Sequence, residues 1–451
     1  MVNYILKIKQ KLLQAKLFLI IVLFVIAYFQ SSNIQSQIFS NKQTLNQQSE
    51  LIDYNITDTA WSNTTRVSEK DGYGSYNPEI ASDNAGNLYV VWDDESVDDY
   101  GILYRAFLNR NASWTSIQTI SEENTFSIYP RITTDKNNYI HISWWDSTGT
   151  DELLLYKYYN GNRWSEVIEV NACDDAWASH EILSTNNGSV YFFWIEREEN
   201  CSLLFFRSYL LLTNELTQKI SITDCNTWAD SPSATVDTLY NIHLVWEAKN
   251  EEMLAYEIYY KTLAGYNWQT TEPVIISKLD DLSDKNPTVK ADSKDSLHVV
   301  WDQKGEIHYC FMSDNVWTSE LKISGFGWAL TVDLAIDKRD NLHFTWEEST
   351  WLMYKQFNQE TGWSNNVNLT DFFSIIFSPK IAADTFGSVH IVWNDCTIDS
   401  MWEVYNIKGQ ISYLDKQTII LITTIIVPLV LGNIAVLIIV TIKRKETAII
   451  E

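Results

Sequence analysis

The chain is poor in the residues that build stapled or fibrous folds. Its 451 residues hold five cysteines, seven prolines, fifteen glycines and seven histidines. So few cysteines exclude a disulfide scaffold. The odd number leaves at least one of Cys173, Cys201, Cys225, Cys310 and Cys396 unpaired and assigns no pair. Scarce glycine and proline exclude a collagen-like or low-complexity chain. Basic residues are few as well: 33 Lys and Arg stand against 58 Asp and Glu, a formal charge of −25. That balance excludes a protein that tracks nucleic-acid phosphates, so no nucleic acid is expected as a partner. No P-loop, nucleophile elbow, H-E-x-x-H motif or Cys–His arrangement occurs.

Two runs lack charge altogether. Residues 17–29 form a thirteen-residue apolar run behind a lysine-rich start. The run falls short of the ~20 residues of a membrane span and suits the core of a signal peptide. Residues 1–29 are therefore expected to be a signal peptide or an uncleaved signal anchor, and residues 30–57 a polar linker rich in Gln, Ser and Asn. Residues 418–442 are long and apolar enough to cross a bilayer, and Lys443, Arg444 and Lys445 follow at once. The positive-inside rule then makes 418–442 a transmembrane helix and 443–451 a cytoplasmic tail. The expected location is the cell membrane, single-pass after signal cleavage and two-pass without it, with the bulk of the chain extracytoplasmic. Six Asn-x-Ser/Thr sites, at Asn55, Asn63, Asn111, Asn187, Asn200 and Asn368, agree weakly with a surface location.

What is abundant is tryptophan, 19 residues, inside a chain that is 45% hydrophobic. Seven of them recur every 45 to 55 residues: Trp92, Trp144, Trp194, Trp246, Trp301, Trp346 and Trp393. Each ends a similar unit, such as PEIASDNAGNLYVVWDD from Pro78 and PKIAADTFGSVHIVWND from Pro379. Each unit reads as a strand, a tight turn and a second strand. Asp83, Asp135, Asp237, Asp292, Asp337 and Asp384 sit in the turns, where Asp bonds the local backbone. A third strand follows, then in most units a fourth that begins with Trp. Four strands per repeat is the size of a propeller blade. The expected fold is all-β: a seven-bladed β-propeller of four-stranded blades over residues 58–413. The last unit lacks its Trp-led fourth strand. A spare one, WSNTTRVS from Trp61, precedes the first unit and is expected to clasp the ring.

These units resemble the sialidase-like, BNR-type repeat propellers of microbial surface proteins, through the P-x-I-x-x-D-x-x-G-N-L-H-V-V-W pattern. The resemblance implies fold more than function. The family's S-x-D-x-G-x-T-W box is not met, because Asp and Trp here lie nine residues apart. Sialidases of this resemblance imply three arginines gripping a carboxylate; here Arg131, in Tyr-Pro-Arg-Ile, is the suggestive one, yet it sits inside the repeat pattern. A quinoprotein docking repeat is similar too, with different spacing.

The repeat Trp residues are expected to pack blade against blade. His141, His243, His298, His343 and His390 fall at one repeat position and are expected to bond between blades, too far apart to share a metal. The acids just after each Trp are Asp93, Asp94, Asp146, Glu196, Glu247, Asp302, Glu347 and Asp395. Together with the connection aromatics Tyr76, Tyr129, Trp177, Trp228 and Trp328, they form the expected ligand-binding face. Carboxylates suit a hard cation, so calcium is the one cofactor suggested, and aromatics with acids suit sugars. The leading expectation is a surface protein that recognises a glycan or protein ligand. The alternative is a glycoside hydrolase or lyase acting on extracellular polysaccharide, since two carboxylates ~5–9 Å apart would suffice.

Overall fold

A computed structural model describes residues 59–410, apart from 98–99, 123–124, 148–150, 174–175, 187, 251, 264–271, 326, 371–373 and 398–400. The chain is all-β, and its one helical element among the described residues is a short 3-10 turn, Asn109–Asn111. In each unit the first strand pairs antiparallel with the second and the second with the third, as Ser75–Ser82, Leu88–Asp94 and Gly101–Leu108 do. The hairpin between first and second strands is set by its Asp. Asp83 Oδ1 accepts from the Ala85 and Asn87 amides at 2.9 and 2.8 Å, which is the local bonding that favours Asp in a turn.

The expectation of seven four-stranded blades with a transmembrane helix is corrected on both counts. The strands pair into six sheets: one of four strands, four of five, and one of nine. The nine-stranded sheet arises because the third and fourth units are tied together. Cys201 and Cys225 form a disulfide across their connection. Beside it Ser202 pairs in parallel with Trp228, and Ser202 Oγ donates to the Ala229 carbonyl at 2.6 Å. The five-stranded sheets arise because the outermost strand breaks in two. A Ser or Thr hydroxyl after its first piece accepts a third-strand amide, as Thr115 does from Ala106 and Thr318 from Phe311, both at 3.1 Å. No helix among the described residues is long and apolar enough to cross a membrane. The single-pass membrane placement is corrected to that extent: the described residues contain no span. The expected segments 1–29 and 30–57, the span 418–442 and the tail 443–451 lie outside the described residues.

The chain ends meet in one sheet. Ala60–Trp61 and Thr65–Arg66 both pair with the last unit's third strand, Glu403–Gln410. Val67 and Ser68 continue the contact, each donating its amide to the Val404 carbonyl.

Hydrophobic burial between neighbouring sheets is the main stabilising term. Second strands are buried on both faces, as Leu88–Asp94 and Leu342–Glu348 show throughout their length. The repeat Trp residues are 0 or 1% exposed. Each packs on the unit before it: Trp144 on Tyr89 and Ile102, Trp346 on Val300 and Ile307, and Trp92, closing the ring, on Val392 and Val404.

The histidines do not bond from blade to blade as expected. They bond within one sheet, to the turn Asp and to a third-strand Tyr. His243 Nδ1 lies 2.8 Å from the Tyr260 hydroxyl and its Nε2 3.2 Å from Asp237 Oδ2. His141, His298 and His343 repeat the Tyr contact at 2.7, 2.7 and 2.9 Å. Burial lowers the pKa of His141, His243 and His390 against the pull of the turn Asp, so these rings stay neutral.

Candidate active site

First strands line a central channel, and each carries a bulge at its mouth, where the register slips between Tyr76 and Glu79, Ile128 and Arg131, or Phe377 and Lys380. The bulge residue takes a left-handed conformation without being glycine: Asn77, Tyr129, Ser231, Asn286, Thr331 and Ser378 have φ of 48, 53, 49, 51, 49 and 50°. Such conformations persist only where the surroundings over-determine them. Here the surroundings are side chains that directly follow a repeat Trp, two of them acids predicted for the ligand face. Asp93 Oδ1 accepts the Tyr129 amide at 3.1 Å, Glu247 Oε2 the Asn286 amide at 2.7 Å, and Asn394 Oδ1 the Asn77 amide at 3.2 Å. Each clamps the bulge of the next unit.

The predicted acids split into two sets because side chains alternate along a strand. Asp93, Glu247, Asp302 and Glu347, directly after the Trp, face the channel mouth and are at most 8% exposed. Burial pushes their pKa values up, Asp93 and Asp302 to about 6 and Glu247 and Glu347 to about 7. The next position points the other way and holds side chains in place. Asp94 accepts the Trp92 indole at 2.8 Å and Glu196 the Trp194 indole at 2.7 Å. Asp146 accepts the Ser127 hydroxyl at 2.6 Å and Asp395 the Thr397 amide at 2.7 Å. The expected ring of acids is thus not one ring.

The buried set makes a pH prediction. Glu247 rises from 4.5 to about 7 mainly through burial, so the folded chain binds its proton more tightly than the unfolded chain does. Its contribution is fully present below the unfolded value and is lost as pH rises through the folded one. At about pH 8 the charged side chain costs the fold on the order of 2–3 kcal/mol. Glu247→Gln is expected to melt several degrees higher than wild type at about pH 8, with little change below the unfolded value. A variant that melts lower at both pH values contradicts this account.

One part of the mouth opens into a cleft of about 430 Å³ between the first, second and last units. It is lined by Tyr76, Asn77, Asp93, Tyr100, Phe126, Ile128, Tyr129, Phe377, Ser378, Asn394 and Trp402. The rings form two walls. Tyr76 lies 6.1 Å from Tyr100 and Tyr100 5.2 Å from Phe126; opposite them Phe377 lies 5.2 Å from Trp402. Phe126, Tyr129 and Phe377 are 39, 41 and 48% exposed, an unusual amount of open aromatic surface for one place. Asp93 contributes the carboxylate of the lining, and Asn77 Nδ2 donates to it at 3.0 Å. Behind Tyr76 and Tyr100 stands Glu95, which accepts from the Tyr100 hydroxyl at 2.6 Å, the Tyr76 hydroxyl at 3.2 Å and the Gly74 amide at 3.1 Å. Those bonds, the Tyr100 one foremost, hold its pKa below the usual Glu value.

Of the predicted site residues, the structure therefore brings together Asp93, Tyr76 and Tyr129. Trp328 is 60% exposed beside Gly305, away from the cleft, and Trp228 is half-buried at the joined sheets. Trp177 lies on the first strand of the third unit, Ala176–Ser184. Sequence reasoning missed Glu95, Tyr100, Phe377 and Trp402. They fall outside the repeat pattern, Phe377 at the start of a first strand and the others in connections, and the one signal was that acids and aromatics crowd those stretches.

The channel itself, about 320 Å³, holds a ring of charge that the repeat pattern also hid. It comes from the second position of five of the repeat units: Glu79, Arg131, Glu181, Asp333 and Lys380. Arg131 pairs with Glu79 and donates to the His180 carbonyl at 2.9 Å, while Lys380 Nζ meets Glu79 at 2.9 Å. Burial alone would raise the Glu79 pKa, but the two cations hold it down. Arg131 is thereby occupied in the channel. As for calcium, no group of three or more His, Cys, Asp or Glu among the described residues is placed to hold a metal ion.

No family model matches the chain, and no curated protein does. Solved structures do. An ulvan lyase from a polysaccharide-lyase family is similar at TM-score 0.53 and 11% identity, over 74% of this chain and 93% of its own. A second polysaccharide lyase matches at TM-score 0.51 and 9% identity, over 80% and 94%. An α-L-arabinanase of Penicillium chrysogenum, solved with arabinobiose, matches at TM-score 0.50 and 10% identity, over 67% and 99%. At such identities the likeness is one of fold. The narrower sialidase-like label stays an expectation from the repeat pattern. The chain is an all-β propeller whose similar solved structures include glycoside hydrolases and polysaccharide lyases.

Proposed function

We propose that the chain binds a glycan in the cleft between its first, second and last units and breaks a glycosidic bond there. The observation that carries this reading is Asp93. It is a buried carboxyl with its pKa pushed up to about 6, on the floor of a cleft walled by aromatic rings. A carboxyl that keeps its proton up to about pH 6 can serve as a general acid in mildly acidic conditions. Aromatic walls with a few convergent polar groups are how pockets hold and orient a ligand. The activities of the similar structures, two polysaccharide lyases and an arabinanase, support catalysis over recognition alone.

Recognition without chemistry is the second reading, favoured by one observation. Asp93 already accepts from Asn77 and from the Tyr129 amide, so a holding role accounts for part of its environment. The test is to incubate the intact protein with a panel of polysaccharides and follow both retention and new chain ends. Products from at least one polysaccharide are expected. Retention with no product from any of them would leave the chain a binding module.

A further inference from the structure

We infer that Glu95 is a positioning residue of the cleft: its carboxylate fixes Tyr76 and Tyr100 as a preset platform on which the apolar face of a sugar ring stacks. This rests on the reading that the cleft binds a glycan.

One carboxylate oxygen, Glu95 Oε1, accepts from both tyrosine hydroxyls, Tyr100 at 2.6 Å and Tyr76 at 3.2 Å. The other, Oε2, accepts the Gly74 amide at 3.1 Å, while the Glu95 amide donates to the Gly74 carbonyl at 2.9 Å. Glu95 is thus tied to its own place as well as to the two rings. Both tyrosines line the cleft. They keep the protons that they donate: burial and then the Glu95 charge push the Tyr76 hydroxyl up to about 12, and the bond to Glu95 raises that of Tyr100. With the hydroxyls committed to Glu95, the rings are left to offer their faces, which suit the C–H side of a sugar ring.

The backbone of Tyr100 is strained to make this arrangement. Its φ is 105°, a value that a bulky residue adopts only where its surroundings impose it. The Tyr100 amide donates to the Val97 carbonyl at 2.9 Å, its carbonyl accepts the Ser127 amide at 3.0 Å, and its hydroxyl is held by Glu95. Three bonds on one residue are the over-determination that such a conformation needs, and strain of this kind gathers at ligand clamps. Tyr76 is seated as closely. Its ring folds back over Gly74, where a Cβ would meet it at 2.6 Å, so any side chain at Gly74 would push the ring aside.

Ordering loose side chains is part of the cost of binding, and rings that are already fixed spare the ligand that cost. The Tyr100 ring passes the constraint on to Phe126, which meets it edge-on at 5.2 Å and 63°. Tyr76, Tyr100 and Phe126 therefore form one wall whose orientation is set from behind by Glu95. Glu95 stands outside the lining of the cleft and acts through the rings, as a supporting side chain does for a site that must be held still.

The test measures the dissociation constant and the turnover at saturation of the intact protein with a polysaccharide that it retains. Wild type is compared with Glu95→Ala, Glu95→Gln and Tyr100→Phe, and melting temperatures are read in parallel. Glu95→Ala frees both rings and is expected to weaken binding by about tenfold, with turnover at saturation within about twofold of wild type. Glutamine keeps an oxygen for the Tyr100 hydroxyl and an amide for that of Tyr76, so Glu95→Gln is expected to retain most of the affinity. Tyr100→Phe keeps the ring and loses only its tie to Glu95. It is expected to weaken binding by a smaller factor than Glu95→Ala, and it reads the same tie should Glu95→Ala not fold. Unchanged affinity in Glu95→Ala and Tyr100→Phe would overturn this inference and leave the glycan reading standing. A loss of turnover in Glu95→Ala with affinity unchanged would overturn it too, as would equal losses of affinity in Glu95→Ala and Glu95→Gln. Retention of no polysaccharide by wild type would overturn the earlier reading as well.

Discussion

Asp93→Asn is expected to lower turnover on the cleft's substrate by about a hundredfold to ten-thousandfold, with the fold intact. Asparagine keeps one oxygen to accept the bulge amide of Tyr129, which Asp93 now accepts at 3.1 Å. It removes the proton that catalysis would use. The pH profile separates the two roles. Asp93 must be protonated to act, so activity should fall as pH rises through about 6. Any residual activity of the variant should lose the basic limb. A variant that keeps both turnover and the limb near 6 would remove Asp93 from the chemistry.

Trp301→Ala is expected to cost the fold about 3–5 kcal/mol, a large share of the ~5–15 kcal/mol that ordinary domains have. Trp301 is 0% exposed and fills the space between two units with Val245, Ile258 and Cys310. Its indole also donates to Asp284 at 2.8 Å. Asp284 is a carboxyl that burial raises to about 8, so the truncation leaves both a cavity and a buried polar group without its donor. Trp144→Phe is the milder comparison. Trp144 is equally buried, but its indole nitrogen has no hydrogen-bond partner among the described residues, so the change removes volume and no bond. Denaturant midpoints should therefore order as wild type, then Trp144→Phe, then Trp301→Ala. Near-equal midpoints for wild type and Trp301→Ala would mean that the inter-unit Trp layer is not a main source of stability.

The repeat pattern carried the strand–turn–strand units because apolar alternation and turn Asp residues are local signals. The chain ends were readable for the same reason: a Trp-led segment is missing after the last unit and spare before the first. Sheet identity was not readable. Whether two neighbouring units fuse depends on one tether, Cys201–Cys225, and five cysteines assign no pairs. Splitting of the outer strand turns on single Ser and Thr hydroxyls such as that of Thr115. At the site, the acids after each Trp were visible as a set, but alternation sends Asp93 into the cleft and Asp94 onto its own Trp. Glu95 and Tyr100 stand in a connection with no repeat to compare, and only folding brings Phe377 and Trp402 opposite Phe126. Arg131 looked like a ligand grip in the sequence. The bulge beside Tyr129 turns it to Glu79 instead.

A glycan held in this one cleft, and not elsewhere on the same face, must lose affinity when a ring of the cleft wall is removed. The most direct measurement is the dissociation constant of the intact protein for the polysaccharide it cleaves, in wild type, Phe377→Ala and Trp328→Ala. Both rings are exposed, at 48 and 60%, but Phe377 lines the cleft and Trp328 does not. Phe377→Ala is expected to weaken binding by about tenfold, the loss of one stacking face worth ~1 kcal/mol or more, and Trp328→Ala to leave it unchanged. Unchanged binding in Phe377→Ala with a loss in Trp328→Ala would place the glycan elsewhere and contradict the account.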